Sequence, residues 1–151
     1  MAGSVINSIF DAIAGWDVYY DSDVPPKVKE LQNLDDTLKT AEGVVRVITL
    51  QNGDQAGEFV ALGKTMAIDW TIIDTLYVRP TAHLGALRNS IPQLTNYVVN
   101  YIDAIKNDRS PTNQSHIENW SASIGTESYP EGTSEDWFTA TITLTVREFI
   151  N

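Results

Sequence analysis

The chain has 151 residues, ten basic and twenty acidic, so it carries a formal net charge of -10 and has room for one domain with its own core. That balance argues against a duplex-binding surface, because gripping phosphates takes clustered Lys and Arg; it favours solubility and repulsion of nucleic acid. The sequence has no cysteine, which excludes disulfides, thiolate nucleophiles and cysteine-based zinc sites, and an apolar content of 42% argues against wholesale disorder.

Val5, Ile6, Ile9, Phe10 and Ile13 recur at helical spacing and predict a short amphipathic helix, with Ser4 as its N-cap and Gly15 as its stop. A helix this short is marginal alone and has to dock on something. The segment lacks a basic start and is interrupted by Asp11, which argues against a signal peptide. No apolar run reaches the roughly 20 residues of a membrane span. Trp16 to Gly43 reads as a loop rich in Asp and carrying Pro25-Pro26. It is either a functional excursion or a surface stretch with a short helix around Val28 to Leu34.

Val44 to Leu50 is β-branched and predicts a strand, Gln51-Asn-Gly-Asp54 has turn chemistry, and Glu58 to Leu62 begins a partner strand. Met66 to Arg79 is the long central strand, with Met66, Ile68, Trp70, Ile72, Leu76 and Val78 on one face. Ile73 and Asp74 are swapped relative to that pattern. A β-bulge would restore it, or the strand leaves the core near Asp74.

Pro80 ends the strand. Leu84, Leu87, Ile91, Leu94, Val98, Ile102 and Ile105 then step by three and four. Pro92 belongs in a first turn, which puts the helix at about 90–106 and leaves 84–89 as a separate turn. Asp108 to Asn113 is a loop. Ile117 to Ile124 is a strand with Trp120, Ala122 and Ile124 inward, and Gly125 to Asp136 is a turn-rich loop bearing Glu127, Glu131, Glu135 and Asp136. The closing strand alternates: Phe138, Ala140, Ile142, Leu144, Val146 and Ile150 point one way, with Glu148 the polar entry, and four threonines and Arg147 point the other. The apolar face should pack on the Leu94–Ile105 helix. The expected fold is therefore α+β: a single domain over 1–151 with a mainly antiparallel sheet of about four to five strands, an amphipathic helix on one face and a short N-terminal helix.

Chemistry is sparse. Gly57 to Thr65 mimics a phosphate-binding loop, but five residues separate Gly57 from Gly63 where the wrap needs four, and a strand follows instead of a helix. His83 and His116 are not at the spacing of a metal pair, and Asp21-Ser-Asp23 and Asp35-Asp36 lack the further ligands of a calcium loop. No serine sits in a nucleophile elbow. The sequons at Asn113 and Asn119 read as chance matches. No catalytic, metal or cofactor site is expected.

The order of elements, with INSIFDAIAG, AIDWTIIDTLYVRP, IPQLTNYVVNYIDAI and WFTATITLTVREF, resembles the lambda-type tail terminator (tail completion) family of long-tailed bacteriophages along essentially the whole chain. The resemblance implies a structural virion protein, not an enzyme. Its hexameric ring caps the tail tube, stops polymerisation and joins tail to head. The implied partners are further copies of itself, the tail tube protein and a head-completion or neck protein. DNA passes through without specific binding, and no membrane is involved. The implied location is the virion tail or neck, with assembly in the host cytoplasm. Acidic charge facing the ring interior would repel passing DNA, and a channel lined by Lys and Arg would rule that out. Two other readings compete: another neck or tail component, such as a head–tail stopper or tube-like protein, and a small α+β enzyme or ligand-binding domain. The second predicts a concave pocket with converging polar groups at His83 or His116. Candidate subunit or partner contacts are Asp21, Asp23, Asp35 and Asp36 in the first acidic loop, Glu127, Glu131, Glu135 and Asp136 in the second, and Asp74 with Arg79 as an intersubunit ion pair.

Overall fold

The computed structural model describes residues 4–16, 18–19, 27–30, 44–51, 57–59, 66–78, 86–128 and 136–150. The elements in chain order are α1 (Ile6–Ala14), β1 (Lys27–Glu30), β2 (Val44–Leu50), β3 (Gly57–Phe59), β4 (Met66–Val78), α2 (Ala86–Asn107), β5 (Ser115–Ser128) and β6 (Asp136–Ile150). The fold is α+β: one sheet ordered β1-β2-β4-β6-β5, with β3 also on β4. It is antiparallel except where β1 joins β2 in parallel. The main path has five strands, as expected, and the three-residue β3 adds a sixth on β4.

Three local expectations give way to tertiary pairing. Lys27–Glu30 is a strand, not the start of a helix, because β2 supplies the ladder that a four-residue segment cannot make alone. The chain does not reverse between β2 and β3: both run antiparallel to β4 along the same edge, Leu50 opposite Ile72 and Gly57 opposite Ile68. The turn expected at Gln51-Asn-Gly-Asp54 lies, after Gln51, outside the described residues. Gly125 to Ser128 and Asp136 belong to the β5–β6 ladder, with Glu127 opposite Trp137 and Ser128 opposite Asp136. Pairing with a long neighbour overrides their turn-like composition.

Helix α2 starts at Ala86 and carries Pro92 inside it. Proline lacks the N–H that would bond the carbonyl four residues back, so the loss is one bond near the helix start. The buried stripe of α2 is Leu94, Tyr97, Tyr101 and Ile105. It packs on Ala140, Ile142, Leu144 and Val146 of β6 and on Ile72 and Leu76 of β4. That is the helix-on-sheet contact the alternating closing strand implied. A second cluster, Val45, Val47, Tyr77 and Trp137, forms on the opposite face.

Strand β4 has no bulge: it pairs in unbroken register with β6 from Met66 to Val78, so Asp74 stays on the helix-covered face. Its carboxylate is fully buried and meets Arg46, from the same face of β2, which donates from Nε to Oδ1 (3.0 Å) and Oδ2 (2.9 Å) and from Nη2 to Oδ2 (2.6 Å). Tyr101 donates its hydroxyl to Asp74 Oδ2 (2.6 Å), and Arg46 Nη2 also donates to the Ile13 carbonyl in the last turn of α1 (2.9 Å). Burial works to lower the Arg46 pKa, but the charge and hydrogen bonds of Asp74 outweigh it and raise the value, so the guanidinium stays charged.

The other end of α1 meets a further buried carboxylate. Glu148, also fully buried, accepts from the Val5 backbone N–H, from Ser4 Oγ (3.0 Å) and from Trp70 Nε1 (2.7 Å). The N-cap position is Val5 and not the expected Ser4; Ser4 Oγ accepts from the Ile6 N–H (3.2 Å), and a carboxylate from the last strand takes the Val5 N–H. A carboxylate at the N-terminus and a guanidinium at the C-terminus both oppose the helix dipole, each contributing about 0.3–2 kcal/mol depending on burial. Gly15 ends the helix in a right-handed conformation.

Arg46→Met leaves Asp74 buried without its ion partner and should cost about 3–5 kcal/mol in urea denaturation, while Arg46→Met with Asp74→Leu should recover most of that loss. Equal costs for the single and double variants would contradict the assignment. Burial, then the charge of Asp74, holds the Tyr101 phenol well above its ordinary pKa, and burial does the same for Tyr97. The folded state thus binds these protons more tightly than the unfolded state. Their contribution is complete below an unfolded pKa of about 10 and is lost as pH rises beyond it. The denaturation midpoint should fall above about pH 10, and less steeply in Tyr97→Phe. The Tyr97 hydroxyl is buried with no hydrogen-bond partner among the described residues, so that variant should be neutral or stabilising by up to about 1 kcal/mol at neutral pH.

Candidate functional site

The longest run of exposed residues among those described is the outer part of β5. β5 is the terminal strand of the sheet and pairs only with β6 among the described residues. Ser115 and Ile117 are buried beneath the domain, whereas every residue from Glu118 to Thr126 is exposed, on both faces of the strand. A register shift lies between Ile117 and Asn119, which pair with Val146 and Thr145. One extra residue at Glu118 switches the alternation. As a result Trp120, Ala122 and Ile124 stand opposite Leu144, Ile142 and Ala140, on the helix-bearing face. The expectation that they point toward that face holds, but the expectation of burial does not: Trp120 is 40% exposed and Ile124 39%. The cover provided by α2 stops short of them.

The opposite face of the two central strands is hydroxyl-rich. Thr71 and Thr75 of β4 stand opposite Thr145 and Thr141 of β6, and Ile73 stands opposite Thr143. Thr141, Thr143 and Thr145 are half-buried. At one end of this row Arg147 holds Asp69 through two hydrogen bonds, Nε to Oδ1 (2.8 Å) and Nη2 to Oδ2 (3.0 Å). The Arg147 hydrogen bond pulls the Asp69 pKa below the ordinary carboxylate range. Glu118 lies 3.6 Å from Arg147 Nε and 2.6 Å from His116 Nε2, and the His116 ring stacks on Phe149. All four ionisable groups of this network are at least partly exposed, so its worth is specificity of orientation more than stability.

A shallow open depression of about 360 Å³ lies at the C-terminal half of α2, lined by Trp16, Tyr19, Asn100, Asp103, Ala104, Asn107 and Asp108. Trp16 donates from Nε1 to Asp108 (3.0 Å) and meets Tyr101 edge-on (5.7 Å between centroids). His116 is not among its lining residues, and His83 falls outside the described residues. Gly57 to Phe59, the start of the phosphate-loop mimic, is strand β3. Among the described residues no three of His, Asp and Glu converge as a metal site.

The sequence-derived contact residues fare unevenly. Asp74 sits inside the subunit, bonded to Arg46 and Tyr101, so it is out of reach of a neighbouring chain as an ion-pair partner. Its place among apolar neighbours marked it as unusual, and the buried Arg46 on the adjacent strand is the partner that pattern alone did not reveal. Glu127 and Asp136 lie in paired strands at the hairpin end, not in a loop. Asp21, Asp23, Asp35, Asp36, Arg79, Glu131, Glu135 and His83 fall outside the described residues. Compared with known proteins, the chain matches no family model, and no curated protein matches it.

The exposed strand makes a measurable contrast. Trp120→Ala should change stability by no more than about 0.5 kcal/mol, while Ile117→Ala, three positions away and buried, should cost about 2–5 kcal/mol. Comparable losses in urea denaturation would place Trp120 in the core and contradict the exposed-strand description.

Proposed function

We propose that the chain is a tail terminator of a long-tailed bacteriophage, a structural virion protein acting as a hexameric ring. The ring caps the tail tube, stops its polymerisation and offers a docking surface to the head-completion protein. The observation that carries this reading is a sheet with helices on one face and an uncharged threonine row across β4 and β6 on the other. In this reading the threonine row turns toward the ring interior or the next subunit. A hydroxyl wall on a chain of net charge -10 gives passing duplex no cationic grip. The order of elements supports the reading too: a short first helix, a long central strand, an amphipathic helix and a long closing strand.

The test is to add the protein to polymerising tail tubes and measure tube length by electron microscopy. The reading predicts capped tubes of controlled length, each ending in one ring, and no filaments of the protein alone. Tubes that keep growing in its presence would defeat it. Long filaments of the protein alone would favour a tube-like role.

A further inference from the structure

We infer that the outer edge of β5 is a homotypic contact, pairing antiparallel with the same strand of a second copy about a two-fold axis at Ala122. A long exposed edge is a template for strand addition, and natural edges are usually blunted by charge, proline or cover. This one carries neither charge nor proline, and the Asn119 side chain, which accepts from the Trp120 N–H (2.9 Å), would have to yield that donor to an incoming strand. From Asn119 to Thr126 it reads Asn-Trp-Ser-Ala-Ser-Ile-Gly-Thr, with no ionisable side chain and no proline, in a chain of net charge -10. Two copies of so acidic a chain repel each other, so contact is least opposed across a neutral strand. A nucleic acid would call for Lys or Arg, which the segment lacks, and a basic protein would call for carboxylates, which it also lacks.

The segment is also complementary to itself. In an antiparallel register centred on Ala122, Trp120 faces Ile124 of the second copy, and Ile124 faces its Trp120. Ala122 faces Ala122. On the opposite face, Ser121 meets Ser123 and Asn119 meets Gly125. Each exposed apolar side chain thus gains an aromatic–β-branched cross-strand pair, a favoured pairing on sheets. The shift beside Glu118 bounds the window, because a ladder cannot continue in step through it. Seven residues remain, about 23 Å of strand, an ordinary length for one strand of a sheet. The paired sheets would continue the helix-bearing face from one copy into the other. Ring closure uses contacts between unlike surfaces, whereas this contact joins like with like, so the inference goes beyond the ring reading and does not depend on it.

The absence of cysteine makes the test clean. Ala122→Cys places one thiol on the axis, opposite its own copy at about 4.5–5.5 Å between Cβ atoms, close enough for a disulfide after small adjustment. Thr126→Cys is the control, because its two copies would lie about 26 Å apart along the strands. With oxidised glutathione, A122C should become covalent dimer in nearly full yield and T126C only at background. Sedimentation of the unmodified protein at high micromolar concentration should show dimer, and Trp120→Glu should shift it to monomer without changing its circular dichroism. Equal crosslinking of the two cysteine variants, or a monomer at every concentration, would overturn the inference. A ring mass without A122C crosslinking would overturn it and leave the terminator reading standing. A122C crosslinking together with unmodified protein that fails to control tube length would do the reverse.

Discussion

The short helix α1 depends on two buried charges of the sheet. Glu148, near the end of the chain, reaches the first turn of α1, and Arg46 reaches its last turn while held by Asp74. Nine residues of helix are not stable alone in water, and propensity does not rescue them. The apolar contacts of Ile9 and Ile13 supply burial, and the two charges fix position and direction. The orientation is not arbitrary, because reversing the helix would put a carboxylate against carbonyls and a guanidinium against amides. A buried ion pair is weak evidence for net stability, since desolvation offsets much of the attraction. Its consequence here is geometric: β2, β4, α1 and α2 share one polar node at Asp74.

That node explains why the central strand keeps a charged residue on its core face. A bulge or an exit from the core would relieve the mismatch locally, and the sequence read alone favours one of those. The fold keeps β4 regular and satisfies the carboxylate with Arg46 and Tyr101. The long β4–β6 ladder then stays unbroken, which keeps the threonine row on the opposite face aligned.

What was legible in the sequence follows physical range. The closing strand, the central strand and the amphipathic helix announce themselves by periodicity, because each buries one face along its length. The buried stripe of α2 was only half legible: Leu94 and Ile105 stand out by hydropathy, but Tyr97 and Tyr101 occupy the same stripe and read as polar-capable residues. Lys27–Glu30, the course from β2 to β3, and the strand character of Gly125 to Ser128 depend on partners far along the chain, which local composition does not encode. The exposure of Trp120 and Ile124 was hidden for another reason. Alternation gives the face a residue points to, but not how far the covering helix extends. For the interaction surface, the sequence pointed to acidic loops that fall mostly outside the described residues, and the surfaces proposed above, a neutral edge strand and a hydroxyl row, rest on the described ones.

Helix α1 should belong to the same cooperative unit as the sheet, joined through Arg46 and Glu148. Native-state hydrogen exchange measures this directly, residue by residue. The amides of Ile9 through Ile13 should exchange with an opening free energy equal to that of the central residues of β4 and β6, and should follow them when urea lowers global stability. Rapid, urea-independent exchange across α1 with the sheet still protected would show the helix opening by itself, and would contradict a first helix locked by the buried charges.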